Sequence, residues 1–368
     1  MTTTAFSPLS LGSLTLKNRF VRSATWDGMA DAQGRPTPPQ LALYRQLAAA
    51  ELGLIITGYI AVHPLGLQFP GTLRLDSDAL VSALAPLPAT VHAAGGKLVA
   101  QLFHGGGQTG PKALGRPGLA PAAISFPSFD GVPEAMTEAQ IGETLAAFGQ
   151  AARRARAAGF DGVQLHAAHG YLIHQFLSPL TNPRRDGWGG SPAGRRRFLL
   201  EACAAVRREA GADFPLLVKL NGCDNLDGGM TLADATEVAR ALEQAGVCAL
   251  EISAGSPASG KESPVRAGIR AGENEGFNAD LARAIRQAVT IPVITVGGLR
   301  SRATIDRLLA EGGTDAVALS RPLIRQPELI LSWHAGATDA ASCISCNGCF
   351  RPGLKAGGIR CILDHPLT

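Results

Sequence analysis

Residues 164–179 read QLHAAHGYLIHQFLSP. They place His166, His169, Tyr171 and His174 within nine positions of a chain that has only eight His and three Tyr. Two imidazoles three residues apart suit two kinds of chemistry. One is metal ligation, but no third or fourth ligand with matching placement stands nearby. The other is a pair of hydrogen-bond donors aimed at one oxygen, a neutral oxyanion site. A tyrosine, with an ordinary pKa of ~10, stays protonated at neutral pH and can give up its proton. His174 lies at helical spacing from the first two and is expected to cap or pack.

Two further stretches suit an anion. VGGL (296–299) lets the backbone approach closely at Gly297 and Gly298 and leaves N–H groups free. SRP (320–322) adds the Ser320 hydroxyl and the planar Arg321 cation, which can bind two phosphate oxygens at once. Gln101 and Lys219 could hold a flat, heteroatom-rich ring. A phosphate pocket beside a ring-binding rim implies a nucleotide-like cofactor with one phosphate. The plainer readings are a simple turn at Gly297–Gly298, a surface ion pair at Arg321 and a core amide at Gln101. No role can be argued for His104.

Cysteine usage is uneven. Of seven Cys, four lie in the last 26 residues: Cys343, Cys346, Cys349 and Cys361, spaced C-x2-C-x2-C-x11-C. Four such thiols suit a tetrahedral metal or a [4Fe–4S] cluster. Three readings stand: an iron–sulfur cluster, a zinc site, or reduced thiols that bind nothing. Cys203, Cys223 and Cys248 are expected as buried small hydrophobes. An odd count clustered at one end is no disulfide framework and fits a reducing cytoplasm.

These groups need a scaffold. Eight apolar runs read as strands: 19–24, 52–60, 97–103, 162–168, 215–222, 249–254, 291–298 and 315–321. Between them lie stretches with apolar residues at helical spacing, such as 137–159, where Thr137 and Gln140 read as a capping box. Eight strands each followed by a helix predict an α/β fold, a (β/α)8 TIM barrel. An open doubly wound sheet is the alternative, but no strand runs into a GxGxxG turn. Residues 9–18 read as an N-terminal β-hairpin, and the Gly/Pro-rich 105–135 as a functional loop over the barrel. The expected division is a barrel at 1–335 and a Cys-rich C-terminal extension at 336–368. In such barrels the active site lies at the carboxyl ends of the strands, so Gln101, His166, Lys219, the two glycines and Ser320–Arg321 point at one rim.

Composition narrows the function. With 46% hydrophobic and 17% charged residues among 368, the chain is globular. A net charge of +4 without a long basic run interleaved with aromatics argues against nucleic-acid binding. The first residues lack the charged and apolar regions of a signal peptide, and no stretch of ~18 apolar residues predicts a membrane span.

The run HAAHGYLIHQFLSPLTNPRRDGWGGSPAGRRRF (166–198), with NRFVRSA, QLFHGG, VKLNG and SRPLIRQP in order along nearly the whole chain, resembles the old yellow enzyme family of FMN-containing ene-reductases. The resemblance implies a non-covalent FMN reduced by NADPH or NADH, and hydride transfer from flavin N5 to the β-carbon of an α,β-unsaturated carbonyl. It implies that His166 and His169 bind the substrate oxygen and that Tyr171 protonates the α-carbon. Gln101 and Lys219 would contact the flavin ring, Gly297, Gly298, Ser320 and Arg321 the phosphate, and Ala24, Thr25 and Gly58 would neighbour the isoalloxazine. Relatives are often homo-oligomers, and the expected partner is a small enone-type substrate. The cysteine tail is similar to that of the 2,4-dienoyl-CoA reductase branch, which holds an iron–sulfur cluster there with one more residue between the second and third Cys, and continues into a second domain. Two departures stand out. SATWDG puts Thr25 or Trp26 where a Thr or Cys usually meets the flavin carbonyl, and Gly107 stands where Arg is common. The alternatives are an Fe–S flavoprotein taking electrons from an outside partner, acting on a dienoyl thioester or an amine, and a flavin-binding redox sensor.

Overall fold

The computed structural model describes residues 4–366 apart from Ala356. Eight parallel strands close on themselves: β1 (Phe20–Arg22), β2 (Leu54–Ile56), β3 (Leu98–Phe103), β4 (Gly162–Ala167), β5 (Leu216–Asn221), β6 (Ala249–Ser253), β7 (Val293–Val296) and β8 (Ala316–Leu319). Each pairs with the next, and β8 pairs with β1 to seal the ring. The fold is the expected (β/α)8 barrel. Its strands carry side chains buried on both faces, which is why they read as near-continuous apolar runs.

The helices between strands begin where the sequence supplies caps. Helix α1 (Pro38–Ala49) follows β1 and opens with proline, whose missing N–H costs nothing in a first turn. Helix α2 (Pro86–Ala93) leads into β3. Helix α3 (Glu138–Ala157) has the predicted capping box, Thr137 with Gln140. Helices α4 (Pro192–Ala210), α5 (Leu232–Gln244), α6 (Ala279–Arg286) and α7 (Arg302–Ala310) complete the outer ring. Among the described residues no helix is long and apolar enough to cross a membrane.

The side-chain period of two sorts the barrel interior into layers. The amino-terminal layer is apolar: Val21, Leu54, Ile56, Val99, Leu217, Ala249 and Ile294 pack together. The predicted hairpin, Leu9–Leu11 paired with Leu14–Leu16, closes this end with Leu11, Leu14 and Leu16. Just past β1 and further along β3 to β6 the inward side chains turn polar, at Ser23, Gln101, Gln164, Lys219 and Glu251, while β2, β7 and β8 stay apolar. The last layer, at the carboxyl ends, presents Phe103, His166, Asn221 and Ser253. The sequence thus changes from oil to polar network to chemistry along one axis.

Beyond residue 336 the described residues are tied to the rim. Ala341 N–H donates to the Arg300 carbonyl at 2.8 Å and Ile359 N–H to that of Asp27 at 2.8 Å. The 105–135 segment is not structureless. It contains a short helix, Pro111–Leu114, and two-residue strands Leu119–Ala120 and Glu134–Ala135 that pair with each other.

Candidate active site

Strand β4 delivers His166 inward, and the chain then reverses through two consecutive left-handed residues, His169 (φ 62°) and Gly170 (φ 76°). Gly170 admits no side chain: a Cβ there would lie 2.9 Å from Gln108 Nε2. The reversal turns His169 back beside His166, ring centroids 5.1 Å apart and nearly perpendicular. Tyr171 stands edge-on to His166 at 4.9 Å and to Phe103 at 4.6 Å. The structure brings the three expected catalytic side chains together.

Their surroundings hold both imidazoles neutral. Burial pushes the His166 and His169 pKa values well below the ordinary range, and the Lys219 charge adds to the effect in both. His166 Nδ1 is buried without a partner. His169 Nε2 lies 2.7 Å from Ser253 Oγ, its N–H donates to Asn221 Oδ1 at 3.3 Å, and its carbonyl accepts from Gln108 Nε2 at 2.9 Å. Burial raises the Tyr171 phenol well above its ordinary value, so it holds its proton at neutral pH. His174 is structural, as expected. Its Nδ1 accepts from Gly170 N–H at 3.0 Å, and its Nε2 meets Asp224 at 2.7 Å, both side chains buried. His104 is also buried, its Nδ1 accepting from Gly106 N–H at 3.1 Å, and desolvation carries its pKa down to about 3.

The polar layer below is one connected network. Lys219 Nζ donates to Ser23 Oγ and Glu251 Oε1, each at 2.9 Å. Gln164 Nε2 donates to Glu251 Oε2 at 2.9 Å and Gln101 Nε2 to Gln164 Oε1 at 2.7 Å. Glu251 and Gln164 were missed in the sequence. Their signal was a carboxylate and an amide inside otherwise apolar strands, where a buried charge demands a partner.

At the ends of β7 and β8, Gly297, Gly298, Ser320 and Arg321 line one cavity together with Arg300 and Phe350. Gly298 is left-handed (φ 71°), and a Cβ would press on Phe277 at 2.9 Å. Gly58 lies beneath the Thr25 carbonyl, where a Cβ would sit at 2.8 Å. Thr25 Oγ1 pairs with Ser320 Oγ at 2.8 Å, and Ala24 is partly exposed at the end of β1. Trp26 packs in one cluster with Tyr59 and Phe103: its Nε1 donates to Thr72 Oγ1 at 3.0 Å, its ring meets Phe69, and Gly353 of the tail packs on it. At Gly107 the space a side chain would fill holds Phe129.

Cys343, Cys346, Cys349 and Cys361 line a single cavity on the far side of Arg321. Among the described residues no group of three or more His, Cys, Asp or Glu is disposed to hold a metal ion. Burial pushes the Cys349 thiol up to about 11. Cys203 is buried as expected, but Cys223 and Cys248 are only half-buried, because they stand where strands meet surface turns.

Residues 4–339 match the NADH:flavin oxidoreductase / NADH oxidase family. The chain belongs to this family. Old yellow enzymes are flavin oxidoreductases, and the chain is 36% identical over 325 residues to an NADPH dehydrogenase of Halalkalibacterium halodurans, covering 88% of this chain and 91% of that one. It is 36% identical over 361 residues to a metal reductase of Desulforamulus reducens, covering 98% of this chain and 53% of the relative. It superposes on a 2-naphthoyl-CoA reductase in complex with 2-naphthoyl-CoA with a TM-score of 0.90 at 29% identity, covering 98% and 56%. The chain therefore spans about half the length of those last two relatives. The FMN that the old yellow enzyme family implies fits the residues present: a glycine cradle, a hydroxyl and two arginines at one end, and the unpartnered His166 Nδ1 at the other.

Proposed function

We propose that the chain is an FMN-dependent NAD(P)H oxidoreductase that reduces the activated C=C bond of α,β-unsaturated carbonyl compounds. One observation carries the reading: two imidazoles held neutral by burial stand together at the carboxyl end of β4, one with an unpartnered nitrogen, beside a protonated tyrosine. Neutral imidazoles are donors that polarise a carbonyl oxygen without bringing a second full charge into the pocket.

The Gly297–Gly298 backbone, Ser320 and Arg321 would hold the FMN phosphate, and Gln101, Lys219, Ala24, Thr25 and Gly58 would hold or neighbour its ring. FMN, when bound, would supply the hydride that the acceptor's β-carbon takes up. His166 and His169 draw electron density onto the carbonyl oxygen, which makes that carbon more electrophilic. Ser253 meets the second imidazole and Asn221 holds the backbone N–H of the same residue, so little reorganisation is left for the moment of reaction. Tyr171 holds a proton at its phenol oxygen for delivery to the α-carbon. The rings of Phe103 and Tyr59 pack edge-on against Tyr171, and the Tyr59 phenol is its hydrogen-bonding neighbour.

We propose in addition an iron–sulfur cluster, rather than zinc, for the four tail cysteines. Support comes from the four thiols lining one cavity and from their spacing, which is similar to that of the cluster-bearing branch. This tail favours a second reading, an Fe–S flavoprotein fed by an external electron partner and acting on an unsaturated acyl thioester; the relative solved with 2-naphthoyl-CoA supports that substrate class. A reducing cytoplasm and a homo-oligomeric state belong to the same proposal.

The test is anaerobic. NADPH or NADH should bleach the flavin absorbance of the purified protein, and cyclohexenone should restore it. Bleaching that no enone or enoyl thioester reverses overturns the ene-reductase reading. Iron and acid-labile sulfide assays decide the tail, with zinc in their place pointing to the rival metal.

A further inference from the structure

The cavity at the ends of β7 and β8 is bordered by two arginines, not one. Arg321 was legible in the sequence. Arg300 was not, yet it is the more deeply buried, at 1% exposed against 8%. Its Nε donates to the Ile269 carbonyl at 3.2 Å, its Nη2 donates to Ser345 Oγ, and its Nη1 is buried without any partner. Arg321 Nη1 donates to the Arg266 carbonyl at 2.7 Å and to Asn347 Oδ1. Neither guanidinium forms an ion pair with a carboxylate among the described residues. Burial and then the neighbouring Arg300 charge lower the Arg321 pKa. Two buried cations side by side, one with a free donor, are costly unless an anion lies between them.

Both arginines are held from the same short loop. Ser345 and Asn347 flank Cys346, and both adopt left-handed backbone, φ 58° and 60°. Asn347 Nδ2 also donates to the Val265 carbonyl at 3.1 Å, and the Ser345 carbonyl accepts from Gly268 N–H at 3.4 Å. The loop that carries three of the four cysteines is therefore fastened to the 265–269 segment and to both cations. Phe350, one residue past Cys349, lines the cavity itself.

We propose that Arg300 is a second cationic ligand of the cofactor phosphate, and that Ser345 and Asn347 are positioning residues that aim Arg300 and Arg321 at it. The proposal rests on the reading that this chain binds FMN. The cysteine loop would then set flavin affinity through its non-cysteine side chains. The nearest carboxylate, Glu275, is engaged by the Arg300 and Ser301 backbone N–H groups and not by either guanidinium; a dianionic phosphate would supply the direct counter-charge, and a guanidinium already held by a serine and a carbonyl loses less freedom on meeting it.

The experiment compares FMN with riboflavin, which has the ring but no phosphate, by flavin-fluorescence titration of the full-length apoprotein. Arg300→Met should weaken FMN by about 10- to 100-fold, as loss of a charged hydrogen bond does. Ser345→Gly and Asn347→Gly remove only the side chains, since glycine takes left-handed backbone freely, and should weaken FMN by about 3- to 10-fold. Riboflavin affinity should stay within about twofold throughout. Arg300→Lys keeps the charge and stem, and serves if melting curves show a glycine or methionine variant unfolded; it should give an intermediate loss. Unchanged FMN affinity in the folded variants overturns the proposal, as does an equal loss for riboflavin, which would mark a purely structural role. A wild-type chain that binds neither flavin overturns the underlying functional reading instead, a result that no variant is needed to see.

Discussion

The histidine rim and the cysteine loop both gather reactive side chains at the same end of the barrel, and they are built in opposite ways. His166, His169 and Tyr171 sit on or directly after β4, with Asn221 and Ser253 reaching His169 from the ends of β5 and β6, behind a polar layer in which Lys219, Glu251, Gln164 and Gln101 satisfy one another. The cysteines range from buried Cys349 to exposed Cys346, and the loop between them is fastened by side chains of Ser345 and Asn347 rather than by strand pairing. The difference shows where preorganisation comes from. A strand end inherits the rigidity of the whole barrel, whereas a loop must borrow order from a few long side chains.

Breaking the rim's foundation should have the largest effect. Lys219→Met leaves Glu251 as an uncompensated buried charge and should cost about 3–5 kcal/mol of stability, read from denaturant unfolding; a loss near zero would mean that the carboxyl is simply neutral. Next come the donors. His166→Ala should lower kcat/KM for an enone about 10²- to 10³-fold while FMN stays bound, and retained turnover would move oxygen binding elsewhere. Tyr171→Phe should follow at about 10²-fold in the enone half-reaction, with NADPH-driven flavin reduction untouched.

Acidification sharpens the same contrast. His104, His166 and His169 all have folded pKa values below the unfolded value, so the unfolded chain takes up protons first. Stability is full above about pH 6.5 and declines as pH falls toward about 3. Asp27 works in the other sense. Burial raises it to about 6, so its contribution, present below the usual carboxylate range, is lost as pH rises through 6. A thermal-melting profile should therefore rise through acid pH, the three histidines outweighing Asp27, and level off above about pH 6.5; a flat profile across acid pH would contradict neutral buried imidazoles. Smallest of all, Cys346→Ser at its exposed site should shift the stability of the metal-free protein by no more than about 0.5 kcal/mol.

Much of this was readable from residue types alone. The eight strands, the hairpin and the Thr137 cap follow from local pattern and from apolar runs that only a parallel sheet buries on both faces. His166, His169 and Tyr171 stood out because rare residues clustered after a strand. What stayed hidden were partners distant in sequence. Nothing near Arg300 announces Ser345, and Ser253 becomes a histidine partner only once β4 and β6 lie in one ring. Position alone left Thr25 and Trp26 open at the flavin, and the packing of the Trp26 indole on Gly353 depends on tail residues more than three hundred positions away.

The left-handed backbone at His169 restricts what evolution or an engineer can put there. Glycine fits the turn but offers no N–H to a substrate oxygen; lysine or glutamine offers a donor but resists the turn. Asparagine shares both the tolerance and an amide donor, so the position admits a two-letter alphabet. A designer wishing to retune how strongly this pocket grips its acceptor has one substitution to try first.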